Sequence, residues 1–203
     1  TQTINNGIDL AGEGGLVWLK ARELPNSHHL FDTIRGGNQY LSTDDTHAQI
    51  DRTPSITSWN QNGFSVAGND GSISYPGYNY ISWTFRKAPK FFDVVTYTGN
   101  GANRTIPHAL GQEVGMMLVK RTDGDADWQV YHRSLANTAY MVLNTTAAKA
   151  TGATRWNSTT PTSAVFSLGT YASVNASGGT YVAYLFAHNA GADGIIQCGS
   201  FTT

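Results

Sequence analysis

The chain is short of the things that decide function most directly. It has a single cysteine, Cys198, so neither an internal disulfide nor a cysteine-based zinc site can form. Charged residues are only 13% of the 203, about half the usual share of roughly 25%. No basic run is longer than Arg86-Lys87 followed by Lys90, and the formal net charge is −1. A nucleic-acid surface, which must neutralise phosphates, and a polybasic membrane anchor are both unsupported by that balance. No apolar run approaches the roughly 18–20 residues of a membrane-spanning helix, and no basic-then-apolar leader is present. Sustained 3.6-residue periodicity is missing as well. The segments at 134–138 and 147–150 could make one helical turn at most.

What is present suits short strands and many turns. Gly is 22 of 203, and Thr, Ser and Asn are plentiful, while 40% hydrophobic and 11% aromatic residues can fill a core. Leu16–Lys20, Tyr80–Phe85, Val94–Thr98, Met116–Lys120, Ala139–Leu143 and Tyr181–Phe186 read as strands bounded by turn formers. Asn62-Gly63, Asn69-Asp70-Gly71, Pro76-Gly77, Asn100-Gly101 and Ser177-Gly178-Gly179 supply the turns.

The chain also repeats itself. Gly15-Leu-Val-Trp-Leu-Lys20 matches Gly115-Met-Met-Leu-Val-Lys120, and Tyr80-Ile-Ser-Trp-Thr-Phe85 matches Tyr181-Val-Ala-Tyr-Leu-Phe186. Leu41-Ser-Thr43 matches Leu143-Asn-Thr145, and Phe64-Ser-Val66 matches Phe166-Ser-Leu168, all in order. The register breaks near Trp59 and Trp156, which marks an insertion or deletion there. Duplication is the reading. The expected fold is all-β: two tandem, duplicated β-sandwich units of jelly-roll or lectin-like type, about 100 residues each. The first repeat is placed at 1–90 and the second at 91–192. A last strand at 193–203, matching 91–99, is expected to begin a further repeat or to complete a neighbouring sheet. Such a strand would be an edge in need of a partner.

Candidate chemistry is thin. Asp123, Asp125 and Asp127 put carboxylates at alternate positions, a partial calcium-loop pattern whose plainer reading is a solvated hairpin tip. The six histidines show no ligand spacing, so no metal and no cofactor is expected. There is no Gly-x-Ser-x-Gly elbow for a nucleophile, and Cys198 reads as an inert thiol in a strand. Glu13/Glu113, Lys20/Lys120 and Arg35/Arg133 are the charged positions the copies share, read as structural ion pairs or loop contacts. The chain is therefore expected not to be an enzyme. Trp18 and Trp83 fall in strands and read as core. Trp59, Tyr75, Tyr78 and Trp156 fall in loop-like sequence and are the candidate ligand-binding residues, able to stack on sugar rings.

Several longer segments carry a family resemblance. They include Asn6-Gly-Ile-Asp-Leu-Ala-Gly-Glu-Gly-Gly-Leu-Val-Trp18, Leu30-Phe-Asp-Thr-Ile-Arg-Gly36 and Phe92-Asp-Val-Val-Thr-Tyr-Thr-Gly-Asn-Gly101. Asp127-Trp-Gln-Val-Tyr-His-Arg-Ser134 and Asn175-Ala-Ser-Gly-Gly-Thr-Tyr-Val-Ala-Tyr-Leu-Phe186 complete the set. Nearly the whole chain resembles an uncharacterised tandem β-domain family found in structural proteins of tailed, often marine, bacteriophages. The resemblance implies a structural or adhesion module on the virion surface, extracellular, in a tail fibre, an appendage or a capsid decoration. Its implied partners are other virion proteins, further copies of the chain, and a host surface glycan, with no nucleic acid and no membrane insertion. A carbohydrate-binding module of a secreted protein is the alternative, and a polysaccharide depolymerase the third reading.

Overall fold

The structure is a computed structural model that describes residues 1–192 and 194–203. It is all-β and divides into two compact units, Thr1–Lys87 and Ala88–Thr203. In the first unit the strands are β1 (Gln2–Asn5), β2 (Gly15–Ala21), β3 (His29–Asp32), β4 (Gly36–Ser42), β5 (Ile50–Asp51), β6 (Ile56–Asn60), β7 (Gly63–Val66) and β8 (Tyr80–Arg86). In the second they are β9 (Phe92–Thr98), β10 (Arg104–Pro107), β11 (Val114–Arg121), β12 (Gln129–His132), β13 (Ala139–Val142), β14 (Ala150–Thr151), β15 (Val165–Leu168) and β16 (Thr180–Ala187). Two single helical turns, α1 (Ala153–Trp156) and α2 (Ala172–Asn175), also belong to the second unit.

Each unit has one large and one small antiparallel sheet. The large sheets run β5-β4-β3-β2-β8 and β14-β13-β12-β11-β16-β9; the small ones run β1-β7-β6 and β10-β15. The duplication is visible in the register. Leu30 pairs with Leu41 and Val130 with Met141; Tyr40 pairs with Ile50 and Tyr140 with Ala150. Ile4 pairs with Phe64 and Ile106 with Phe166. Ala21 pairs with Tyr80 and Arg121 with Tyr181. Strand alternation then buries matching residues between the two sheets of each unit. Val17, Leu19, Phe31, Phe64 and Val66 do this in the first; Met117, Val119, Tyr131, Phe166 and Leu168 do it in the second.

The copies differ where the sequence register breaks. The first unit has β6 there, and the second has α1. In the first, β6 turns into β7 through Gln61-Asn62, with Asn60 opposite Gly63. Gly63 sits at φ +134 with β1 against it, and a Cβ there would collide with the Ile4 carbonyl oxygen. Glycine is required by both the dihedral and the approach of the neighbouring strand.

Three expectations are corrected. Trp83 does not lie in the core: it is 42% exposed, beside Ile81 at 43%. The odd-numbered residues of β8 point away from the core, and Ser82 and Thr84, opposite Leu19 and Val17, take the inward side. Residues 194–203 form no strand and pair with no described strand, although Cys198 lies against Gly115 of β11; Asp193, which heads the expected strand, lies outside the described residues. Arg35 is not the counterpart of Arg133. Thr33 N–H donates to Gly15 O at 3.0 Å as Arg133 N–H does to Gly115 O at 2.9 Å, so Thr33 holds that place.

Candidate functional site

The connection from β7 to β8 builds the most exposed aromatic feature that the sequence singled out. Asp70 starts it: its Oδ1 accepts the Ser72 N–H at 2.8 Å, and its carbonyl accepts the N–H groups of Ile73 and Ser74 at 3.2 and 2.8 Å. That turn drives Ile73 into the core, 3% exposed, and pins the loop. Asp70 Oδ1 also receives Arg52 Nη1 at 3.0 Å. The chain then turns through Tyr75-Pro76-Gly77-Tyr78. Pro76 holds the first central position, and Gly77 at φ +86 supplies the positive value a type II turn needs at the second. Tyr75 N–H donates to the Tyr80 hydroxyl at 2.9 Å and so fixes the start of the turn.

The result is two rings held side by side. Tyr75 and Tyr78 have centroids 5.8 Å apart at 54°, and are 48% and 41% exposed. They border a cleft of about 260 Å³ into which Gln2, Asn69 and Ser74 bring polar groups. Open ring faces beside amide and hydroxyl groups are suited to a ligand with an apolar face and a polar rim, such as a sugar ring.

The other sequence candidates are not brought to this place. Trp59 lies on β6 opposite Phe64, packs partly against the first core and lines a separate shallow cleft with Leu10, Glu13 and Lys87. Trp156 is not a surface residue at all, which corrects its reading as a loop aromatic. It is 1% exposed at the end of α1, meets Tyr131 edge-on at 6.1 Å, and donates Nε1–H to Ala139 O at 3.1 Å. The helical turn that replaces a strand in the second copy carries this ring inward.

The three aspartates do not converge either. Asp123 pairs with Arg121 Nε at 2.7 Å, a contact that lowers the carboxyl pKa and raises that of the guanidinium. Asp127 Oδ1 accepts Asn144 Nδ2–H at 2.9 Å, while Asn144 Oδ1 takes the Trp128 N–H. Asp123 and Asp127 are thus staples of their hairpin, and among the described residues no group of three acidic, histidine or cysteine side chains could hold a metal. Lys20 and Lys120 share one task. Lys20 Nζ donates to Ala21 O and Leu24 O, and Lys120 Nζ to Arg121 O, so each closes the backbone after its strand. Of the other shared charges, Glu113 and Arg133 pair with each other, Arg133 Nε–H donating to Glu113 Oε1 at 3.5 Å. Cys198 packs against Gly115, and burial raises its thiol pKa, which keeps it protonated.

Sequence reading missed the outward-facing pair of the first unit, in which Trp18 is half-buried and Trp83 exposed. Trp18 and Trp83 face each other across β2 and β8, with rings 5.6 Å apart, and Trp18 Nε1 donates to His28 Nδ1 at 3.1 Å. The signal was the parity of β8: Ser82 and Thr84 share one face, so Ile81 and Trp83 must share the other.

A family model described as a domain of unknown function, DUF7483, matches residues 2–203. No curated protein matches the chain, and no solved structure does.

Proposed function

We propose a function for a chain that belongs to the DUF7483 family of domains of unknown function: it is a non-enzymatic structural and adhesion module of a bacteriophage virion surface, in a tail fibre, appendage or capsid decoration. The observation that carries the reading is what the duplication preserved. The two copies share strand register, core positions and the lysine that closes β2 and β11, and these are elements of shape. A module whose repeated features are all architectural suits a part that bears load or spaces a binding tip. The resemblance to structural proteins of tailed phages supplies the setting.

Immunogold electron microscopy of the source particles, with antibody raised against the chain, tests it. Label on the tail tip or fibres fits adhesion, and label over the head fits decoration. Particles without label would refute the virion setting.

The second reading, carbohydrate binding, is favoured by the Tyr75–Tyr78 pair beside its cleft. It is tested by glycan-array binding of the wild type and of Tyr75→Ala/Tyr78→Ala. Both residues are surface groups, so the double variant should fold with stability changed by about 0.5 kcal/mol or less per site. Specific glycan signals that survive in the variant would remove this pair from the account.

A further inference from the structure

The two large sheets differ at one edge. β8 and β16 are equivalent strands, each pairing with the central strand of its sheet in the same register. Beyond β16 lies β9, paired along its whole length from Thr98 opposite Thr180 to Phe92 opposite Phe186. Beyond β8 the described residues place no strand.

The hydrogen bonds show which groups that edge presents. Lys87 N–H donates to Gly14 O at 2.9 Å and Arg22 N–H to Asn79 O at 2.9 Å, so the odd-numbered residues of β8 bond to β2. Tyr80, Ser82, Thr84 and Arg86 therefore direct their N–H and C=O outward. Their counterparts in β16 are Tyr181, Ala183, Leu185 and Ala187, and these bond to β9; Ala187 N–H donates to Phe91 O at 2.9 Å.

A cavity accompanies the bare edge. In the second unit, Tyr97 of β9 turns inward, stacks on Tyr181 at 5.1 Å and meets Phe166 edge-on at 6.1 Å. The counterparts of those two rings are Tyr80 and Phe64. In the first unit both line an open cleft of about 260 Å³, with Ile4, Leu19 and Val66. An apolar cavity of about 150 Å³ is enough for a benzene ring, so the cleft has room for an aromatic side chain.

The chain carries a segment of the right kind. Ile195-Ile-Gln-Cys-Gly-Ser-Phe-Thr202 aligns with Phe91-Phe-Asp-Val-Val-Thr-Tyr-Thr98, placing Phe201 where β9 has Tyr97. This register is two residues further on than matching 193–201 to 91–99, and it keeps the same residues on each face. Ile196 packs on the core of the second unit, and Cys198 N–H donates to His188 Nδ1 at 3.1 Å. Past that anchor Gly199–Thr203 is exposed, and Phe201 is 91% exposed.

We propose that Gly199–Thr203 of a second copy of this chain adds as an antiparallel strand to the outer edge of β8, with Phe201 opposite Tyr80 and seated in the cleft. Main-chain bonds to Tyr80 and Ser82 hold the strand, and the ring supplies specificity, as in other strand additions. The contact is head-to-tail, so each copy keeps a donor at one end and an acceptor at the other, and assembly propagates as a chain of copies. The inference does not depend on a virion setting and fails or stands apart from it.

Sedimentation velocity on the 203-residue chain tests this, with two variants. One ends at Cys198 and lacks the donor. The other is Ser82→Pro, which removes an outward N–H at an edge position where proline is tolerated. The full chain should grow into species longer than a dimer as concentration rises. Each variant alone should stay monomeric. Their mixture should give a one-to-one dimer and nothing longer, because one supplies only the edge and the other only the strand. Phe201→Ala should weaken association roughly tenfold or more. In the full chain, amide exchange at Tyr80 and Ser82 should slow at least tenfold relative to the shortened chain. If Ser82→Pro does not fold, the shortened chain, Phe201→Ala and the exchange data decide the matter. A full chain that stays monomeric to about a millimolar overturns the proposal, including the case where the segment fills its own chain's edge. Self-association undiminished in the shortened chain overturns it too.

Discussion

Acidification should loosen the first unit through one histidine. His29 lies on β3, 5% exposed, with its ring 4.4 Å from that of Tyr40. Burial, and then the charge of Arg52, push its pKa down from 6.5 to about 4, against the opposing pull of Asp70, Asp44 and Asp45. The direction of the effect follows from linkage. Below pH 6.5 the unfolded chain takes up a proton that the folded chain refuses until about pH 4. Stability from this residue is therefore complete above pH 6.5, falls as the pH drops, and levels off below about 4. The slope approaches 1.36 kcal/mol per pH unit, so by about pH 4.5 the loss reaches about 2.5 kcal/mol. That is a large fraction of the 5–15 kcal/mol typical of a folded domain. The assay is urea unfolding at pH 7.5, 5.5 and 4.5, followed by amide NMR signals from residues 1–87, for the wild type and His29→Gln. The variant should be less stable than wild type at neutral pH and lose less on acidification, so the two profiles converge. Parallel profiles would refute the reasoning, because they would assign the pH dependence to other groups.

Three further outcomes are expected. Trp156→Ala should destabilise the second unit by about 3–5 kcal/mol, the range for removing a large buried aromatic, read as a lower urea midpoint for signals from residues 88–203. A cost under about 1 kcal/mol would mean the ring is not core. Gly63→Ala should disrupt the small sheet of the first unit, seen as lost amide protection at Ile4 and Phe64, since both the positive φ and the Ile4 carbonyl oppose a side chain. Arg155→Lys should cost about 1–3 kcal/mol despite keeping the charge. Arg155 lies between the rings of Tyr140 and Tyr171, with Cζ 3.3 and 3.8 Å from the centroids, and its Nε–H donates to Gln129 Oε1 at 2.7 Å. A lysine tip can reproduce neither the stacking nor the fork, and an unchanged urea midpoint would show that neither matters.

Much of this architecture was legible in the sequence, because strand pairing leaves a period of two and turns leave glycine and asparagine. Three of the four matched segments fall on equivalent strands, and the break near Trp59 and Trp156 falls where β6 gives way to α1. The match of Leu41-Ser-Thr43 to Leu143-Asn-Thr145 is two residues out of register: Thr43 N–H donates to His28 O as Leu143 N–H does to Trp128 O, so Met141 holds the place of Leu41. The other misreadings share a cause. Whether a tryptophan faces the core depends on which neighbour covers it, and local pattern is silent on that. Trp156 is carried inward by a helical turn with no counterpart in the first copy, and Trp83 is turned outward by the pleat. The C-terminal segment has strand-like residues, but a strand needs a partner, and none of the described strands pairs with it. Of the candidate site, only Tyr75 and Tyr78 could be found together, because only the Pro76-Gly77 turn separates them. Of the polar groups of their cleft, Ser74 adjoins Tyr75, while Gln2 and Asn69 come from positions that spacing could not have associated.

The arginine that lies over a tyrosine occurs in both units, but it is held differently. In the first, Arg52 lies 5.5 Å over Tyr40 and is held by the Asp70 carboxylate. In the second, Tyr171 stands at the place of Asp70, and Arg155 is held by rings and a neutral amide. Ions in solution weaken the first clamp, whose arginine is 41% exposed, and have little to act on in the second. Two units that descend from one ancestor thus answer differently to ionic strength, and a brine that relaxes one would leave its sibling taut.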